Sequence, residues 1–352
     1  MTATSAIDTL AARLGCEWRH LTAAEEASRR ERERLTRAIA GRVPVDTSFV
    51  VFGSLARGEF TAGSDLDWTL LIDGRADRGH PTAVREIAGA LTTAGVRGPG
   101  PSGVFGNLAF SHPILHQIGG QDDSNRNTTQ RILLLLESLA LGPADAHQRV
   151  VDLVLERYVQ DDRGLLFGKG PQLIPRVLLN DIARYWRTVT IDFVNKQNER
   201  DDGWALRNIK LRLSRKLIFV GGLLTCFAAE LVGEDAGLRE GGKVVPERVT
   251  AFLRRSLQRR PLEALAHVCL RQGVQPATAR AIFDSYDAFL AILDDKTQRE
   301  ALKRHTFDDL GDSTVFRRAS HLARTFQDEG IHRLFFEDEP LLRELITRHG
   351  VF

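Results

Sequence analysis

Between residues 48 and 73 two apolar runs are joined by a turn of small residues, and the second run opens on acids. The first run ends at Gly53-Ser54, a short polar loop follows, and Asp65 and Asp67 precede Trp68-Thr69-Leu70-Leu71-Ile72. Successive side chains on an extended chain alternate between faces, so residues 65 and 67 share one face. Two carboxylates side by side repel each other unless a cation lies between them. A hard divalent ion such as Mg²⁺ takes oxygen ligands of this kind and usually holds substrate phosphates as well. Gly53 and Ser54 supply a tight turn with a hydroxyl and backbone N–H groups, which suits an anionic tail. A surface hairpin would account for Gly63-Ser64-Asp65, but it gives no reason for Asp67 inside an otherwise apolar strand.

At these residues the chain resembles the nucleotidyltransferase superfamily that includes DNA polymerase β. The shared signature is Gly-Ser, a spacer, then Asp-x-Asp at the head of a strand; Arg57-Gly58-Glu59 and Ser64-Asp65 fit its common elaboration. The resemblance implies that Asp65 and Asp67 are both catalytic and metal-binding, with Mg²⁺ as the cofactor, two ions in number and replaceable by Mn²⁺. It also implies that Gly53, Ser54, Arg57 and Ser64 contact the nucleotide, ATP or another NTP.

Enzymes of that type commonly add a third carboxylate from a later strand. Here the corresponding run, Gly103-Val104-Phe105-Gly106-Asn107-Leu108-Ala109-Phe110-Ser111-His112, has no acid. Asn107 and His112 are weaker substitutes, and Asp122-Asp123 either reach the site from a loop or cap the next helix, the capping role being preferred. The Gly98–His112 segment is similar to nucleotidyltransferases found joined to CBS and cyclic-nucleotide-binding modules, relatives of the PII-modifying uridylyltransferase. Lys196 and Gly203-Trp204-Ala205-Leu206-Arg207-Asn208-Ile209-Lys210 resemble a Lys…Gly-Gly-Leu-Arg-Asp-Ile segment of those enzymes, with Asn208 in place of the Asp. No segment resembles their downstream HD or ACT domains. The resemblance spans roughly residues 45–225 and implies a transferase that places an NMP on an acceptor hydroxyl, by analogy on a protein.

The Arg207–Lys216 segment reads as a helix. Leu206, Ile209, Leu213, Leu217 and Val220 form its apolar stripe. Arg207, Lys210, Arg212, Arg215 and Lys216 occupy the remaining arc, and Arg207 and Lys210 are the preferred phosphate ligands. An ordinary solvated basic face is the competing reading.

The fold expected is α+β: a small mixed β-sheet nucleotidyltransferase domain over 45–123, a larger α-helical bundle over 124–352, and an N-terminal helical segment over 1–44. Strands are expected at Ser48–Gly53, Asp67–Asp73 and Val104–Ser111, and after Asp123 only helices, the first being Asn127–Ala140. Gly241–Val245 and Gly330–Ile331 read as loops. With 352 residues and a formal charge of +2, the chain buries a substantial core and carries no global electrostatic signal for nucleic acid. Cys16, Cys226 and Cys269 are scattered, as for reduced thiols in a cytoplasmic protein, and no run is long enough for a membrane span. The partner expected is an NTP donor. Rival functions sharing this front end are a small-molecule nucleotidyltransferase, a second-messenger synthase and a regulatory module that binds nucleotide without turnover.

Overall fold

The computed structural model describes residues 5–96, 98, 107–168, 172–199, 203–307 and 313–350. Two helices come first, α1 (Ala6–Leu14) and α2 (Arg19–Ala38). Then follow β1 (Thr47–Phe52), the single-turn α3 (Gly53–Arg57), β2 (Trp68–Ile72), α4 (His80–Thr93) and β3 (Asn107–Phe110). After α5 (Ser111–His116) and α6 (Asn125–Leu136) comes one more strand, β4 (Ser138–Leu141). The chain continues through α7 (Asp145–Gln160), α8 (Arg163–Phe167), α9 (Arg176–Glu199), α10 (Trp204–Lys210) and α11 (Lys216–Val232). A short hairpin of β5 (Arg239–Glu240) and β6 (Lys243–Val244) precedes α12 (Pro246–Leu257), α13 (Pro261–Cys269), α14 (Pro276–Asp294) and α15 (Lys296–Arg304). Helices α16 (Thr314–Arg324) and α17 (Pro340–His349) complete the order. The architecture is α+β, as expected.

The sheet runs β3-β2-β1-β4, with β1 antiparallel to β2 and β4, and β2 parallel to β3. β1 is central and buried on both faces, which is why Thr-Ser-Phe-Val-Val-Phe is a continuous apolar run rather than an alternation. Parity separates the faces. Phe49, Val51, Trp68 and Leu70 pack against Leu35 and Ile39 after α2's last turns and against Ala83, Ile87 and Leu91 of α4. Val50, Phe52 and Leu71 face the other way and join the core of the helical region, which runs without a break through α6, α9, α11 and α14. Residues 65 and 67 have the parity of 69 and 71. The two acids therefore belong to the face that the helices cover.

Three expectations change. The helix expected to run to Ala140 stops at Leu136, and Ser138–Leu141 pairs with Phe49–Phe52 as a fourth strand. Ile132–Leu141 is one apolar stretch broken only by Glu137 and Ser138, and the open edge of β1 decides where helix yields to strand. Gly330 lies within a widened helical segment (Thr325–His332), not a loop. A Cβ there would meet Ile282 Cγ1 at 2.7 Å, so glycine permits that segment to approach α14. The Gly241–Val245 loop contains β6. Of the expected third strand, residues 104–106 lie outside the described residues.

Among the described residues the three cysteines are free, and no helix is long and apolar enough to cross a membrane.

Candidate active site

β1 ends where Gly53 turns the chain into α3. Its φ of +68° lies in the left-handed region, where glycine carries no Cβ penalty. Directly across the ladder the Phe52 N–H donates to the Asp67 carbonyl at 2.9 Å, holding the head of β2 against this turn. A Cβ on Gly53 would stand 3.4 Å from Asp67 Oδ2. The Asp67 carboxylate therefore borders the space that a side chain at 53 would fill. Asp65, two residues earlier, is exposed and close enough to Asp67 to act on its charge.

Burial raises the Asp67 carboxyl above the ordinary carboxylate range; Glu137 and Asp65 add to the rise, and Arg215 and Lys210 oppose it. Lys210 is the reciprocal case. Burial lowers its ammonium to about 8, with Arg299 and Arg215 lowering it further and Asp65 and Asp67 opposing. Lys210 and Arg215 thus act on the Asp67 charge, and Arg299, from a distant part of the chain, acts on Lys210.

The way Lys210 and Arg215 come together is local. Leu211–Arg215 is a π-helical turn inserted between α10 and α11. At 3.6 residues per turn, positions five apart point about 140° away from each other. In a turn bonded i→i+5 they stack, and such turns recur at functional sites. The insertion brings Arg215 round to the face of Lys210, toward Asp67.

Behind the aspartates lies a buried ion network. The Arg57 guanidinium donates to Glu59 at 2.7 and 3.0 Å and also to Glu137, while Tyr286 Oη donates to Glu59 at 3.0 Å. Glu137, at the α6–β4 junction, accepts from Arg215 at 3.2 Å. Arg57 is therefore held between two carboxylates in the core rather than reaching into the mouth of the site. Glu137 emerges as the third acid near Asp67, from the residue just before β4 rather than from β3. It is fixed by two arginines.

The remaining sequence candidates separate clearly. Ser54 begins the α3 turn beside Gly53. Ser64 closes the loop before Asp65, its Oγ accepting from the Thr61 N–H at 3.1 Å. Arg207 is on α10, one turn before Lys210. Arg212 turns away to donate to Ser320 Oγ at 2.7 Å, and Lys216 donates to Gln327 Oε1 and lies over the Trp186 ring. Asn107 is level with Thr69 in the sheet, and its Oδ1 accepts from its neighbour's Leu108 N–H at 2.8 Å. His112 follows β3, at the opposite end of the strands from Asp67. Asp123 neither reaches the site nor caps α6; Ser124 caps that helix, and Asp123 is buried against Arg131 and Arg184.

The donor set suits a divalent ion that keeps most of its shell as water and phosphate. Asp65 and Asp67 offer hard oxygens on one face, and the buried Asp67 carboxylate, whose charge burial disfavours, is one that a cation would stabilise. Among the described residues no group of three or more His, Cys, Asp or Glu side chains is gathered as a closed metal cage.

No curated protein and no solved structure gives a match to the chain. Residues 17–97 match the family model described as "Putative nucleotidyltransferase DUF294". That stretch holds α2, the Gly53-Ser54 turn, both aspartates and α4, and the match supports a nucleotidyltransferase family for this part of the chain.

Proposed function

We propose that the chain is a Mg²⁺-dependent nucleotidyltransferase that moves an NMP from an NTP to an acceptor hydroxyl. The observation that carries this reading is the approach of Asp67 to the Gly53 turn, opposite Lys210 and Arg215. Asp65 and Asp67 would hold Mg²⁺, which when bound screens phosphate charge and aligns attacking and leaving oxygens. Gly53 and Ser54 receive the distal phosphates, and Lys210 and Arg215 face the charge that builds as pyrophosphate leaves. The acceptor oxygen bonds to the α-phosphorus as the bond to the bridging oxygen of pyrophosphate breaks, and the acceptor's proton passes to water or to an aspartate. Glu137 and Arg57 support the floor of the site, since each is already bound by opposite charge.

The acceptor is read by resemblance as a protein, in the manner of the PII-uridylyltransferase relatives. Incubation of the purified chain with each labelled NTP and Mg²⁺ tests this. Label on protein supports the proposal, and label in a small product selects a small-molecule transferase or second-messenger synthase. Binding without pyrophosphate release selects a regulatory module. Pyrophosphate release unchanged by Asp65→Asn and Asp67→Asn would remove the site assignment.

A further inference from the structure

The loop from Gly58 to Ser64, which delivers Asp65, is gripped by helices from both ends of the chain. On one side Ser28 Oγ of α2 accepts from the Phe60 N–H at 3.0 Å. On the other, the corner between α14 and α15 closes over the turn. Asp294 Oδ1 accepts from the Ala62 N–H at 3.2 Å, and Arg299 Nη1 donates to Thr61 Oγ1 and to the Leu293 carbonyl, each at 3.4 Å. Arg299 is 3% exposed and lies flat against Gly63: a Cβ at position 63 would stand 2.6 Å from Arg299 Cδ and Nε. Gly63 has no left-handed φ, so the missing side chain is required by the guanidinium above it rather than by the backbone.

We propose that Arg299, with Asp294, is a positioning residue for the divalent-metal site, fixing the turn that presents Asp65 from a helix more than 200 residues downstream. The proposal rests on the reading of Asp65 and Asp67 as metal ligands, and it gives the helical region a role in the chemistry of the sheet. A metal ligand held by a well-packed support is pre-organised; loosening such a support commonly weakens metal affinity by about tenfold or more.

Positioning and simple electrostatics predict opposite signs. Arg299 is a cation packed on the turn that presents Asp65, so by charge alone its removal should tighten binding of a divalent ion. The test measures Mn²⁺ binding to the full chain, with no nucleotide, for the parent protein, Arg299→Ala, Gly63→Ala and Asp67→Asn. The Gly63→Ala variant keeps the charge but pushes the guanidinium off the turn. Positioning predicts that Arg299→Ala and Gly63→Ala both weaken Mn²⁺ about tenfold. Equal or tighter binding in Arg299→Ala, or unchanged binding in Gly63→Ala, overturns it. Hydrogen exchange of the Ala62 amide supplies a readout independent of metal. Its protection should fall in Arg299→Ala while that of β1 and β2 holds, and unchanged protection overturns the proposal whatever the metal does. If the parent chain binds no Mn²⁺ in a manner sensitive to Asp67→Asn, the functional reading fails instead.

Discussion

Two ionic clusters lie on the bundle side of the sheet, and they are built to opposite specifications. In the first, Arg131 is fully buried and donates to Asp123 at 3.0 Å, to Asp181 at 2.7 Å and to Tyr158 Oη at 2.8 Å. Tyr158 donates onward to Asp181, and Arg184 donates to Asp123. Two acids meet two arginines and a phenol, and the Asp123 carboxyl falls below its ordinary range despite its burial, through its hydrogen bonds from Arg131 and Gly119 and the nearby arginine charges. In the second, Asp67 rises and Lys210 falls, although opposite charges are at hand. Burial outweighs pairing for both Asp67 and Lys210. The first cluster is complete in itself; on the proposed function, a cation and a polyanion would complete the second.

The largest expected effect lies in the complete cluster. Arg131→Leu leaves Asp123 and Asp181 buried without their central cation, and urea unfolding should show a loss of about 3–5 kcal/mol, while pyrophosphate release per folded molecule is kept. A loss of under 1 kcal/mol would break the contrast. Lys210→Met should weaken NTP binding by about tenfold to a hundredfold, as for loss of a charged hydrogen-bond partner, while unfolding at a higher urea concentration than the parent, because burial opposes the ammonium in the folded chain. The same residue sets a pH dependence. Its ammonium is charged below about 8 and neutral above, so affinity for NTP should fall as pH rises through 8, and Lys210→Arg should flatten the profile. Stability runs the other way. The folded value lies below the unfolded 10.5, so the unfolded chain binds more protons between them and stability rises with pH across that window.

A smaller effect belongs with the structural class. His147 contacts Ser138 Oγ of β4 at 2.7 Å, and burial lowers its imidazole to about 4. The unfolded chain takes up that proton first, so stability should decline as pH falls from about 6.5 toward 4. His147→Gln should shallow that decline, and an unchanged slope would show that other groups set it.

The placement of the candidate site's acids was legible because its information is local. Gly53, Ser54, Asp65 and Asp67 stand within fifteen residues, and strand parity alone places the acids on one face. Lys210 was legible as the flank of an apolar stripe. Arg215 stands on the same arc, but counting at 3.6 residues per turn carries it away from Lys210, and the π turn that returns it has no signal in the sequence. Glu137 and Arg299 had no local signal. One lies in an apolar stretch whose division into helix and strand depends on the open edge of β1, and the other in a charged helix with an ordinary amphipathic pattern. Arg57 matched the signature by spacing, yet spacing does not report that Glu137 waits behind it, 80 residues on. Pairings across long separations were what the sequence withheld.

The most direct test of the contrast is Asp67→Asn, followed by both urea unfolding and Mg²⁺–NTP binding on the same preparation. A carboxyl raised in the folded state opposes folding at neutral pH, so the variant should unfold at a higher urea concentration than the parent while losing metal-dependent nucleotide binding. A variant that unfolds earlier and still binds Mg²⁺–NTP would place Asp67 with Asp123 among the structural charges and contradict the account.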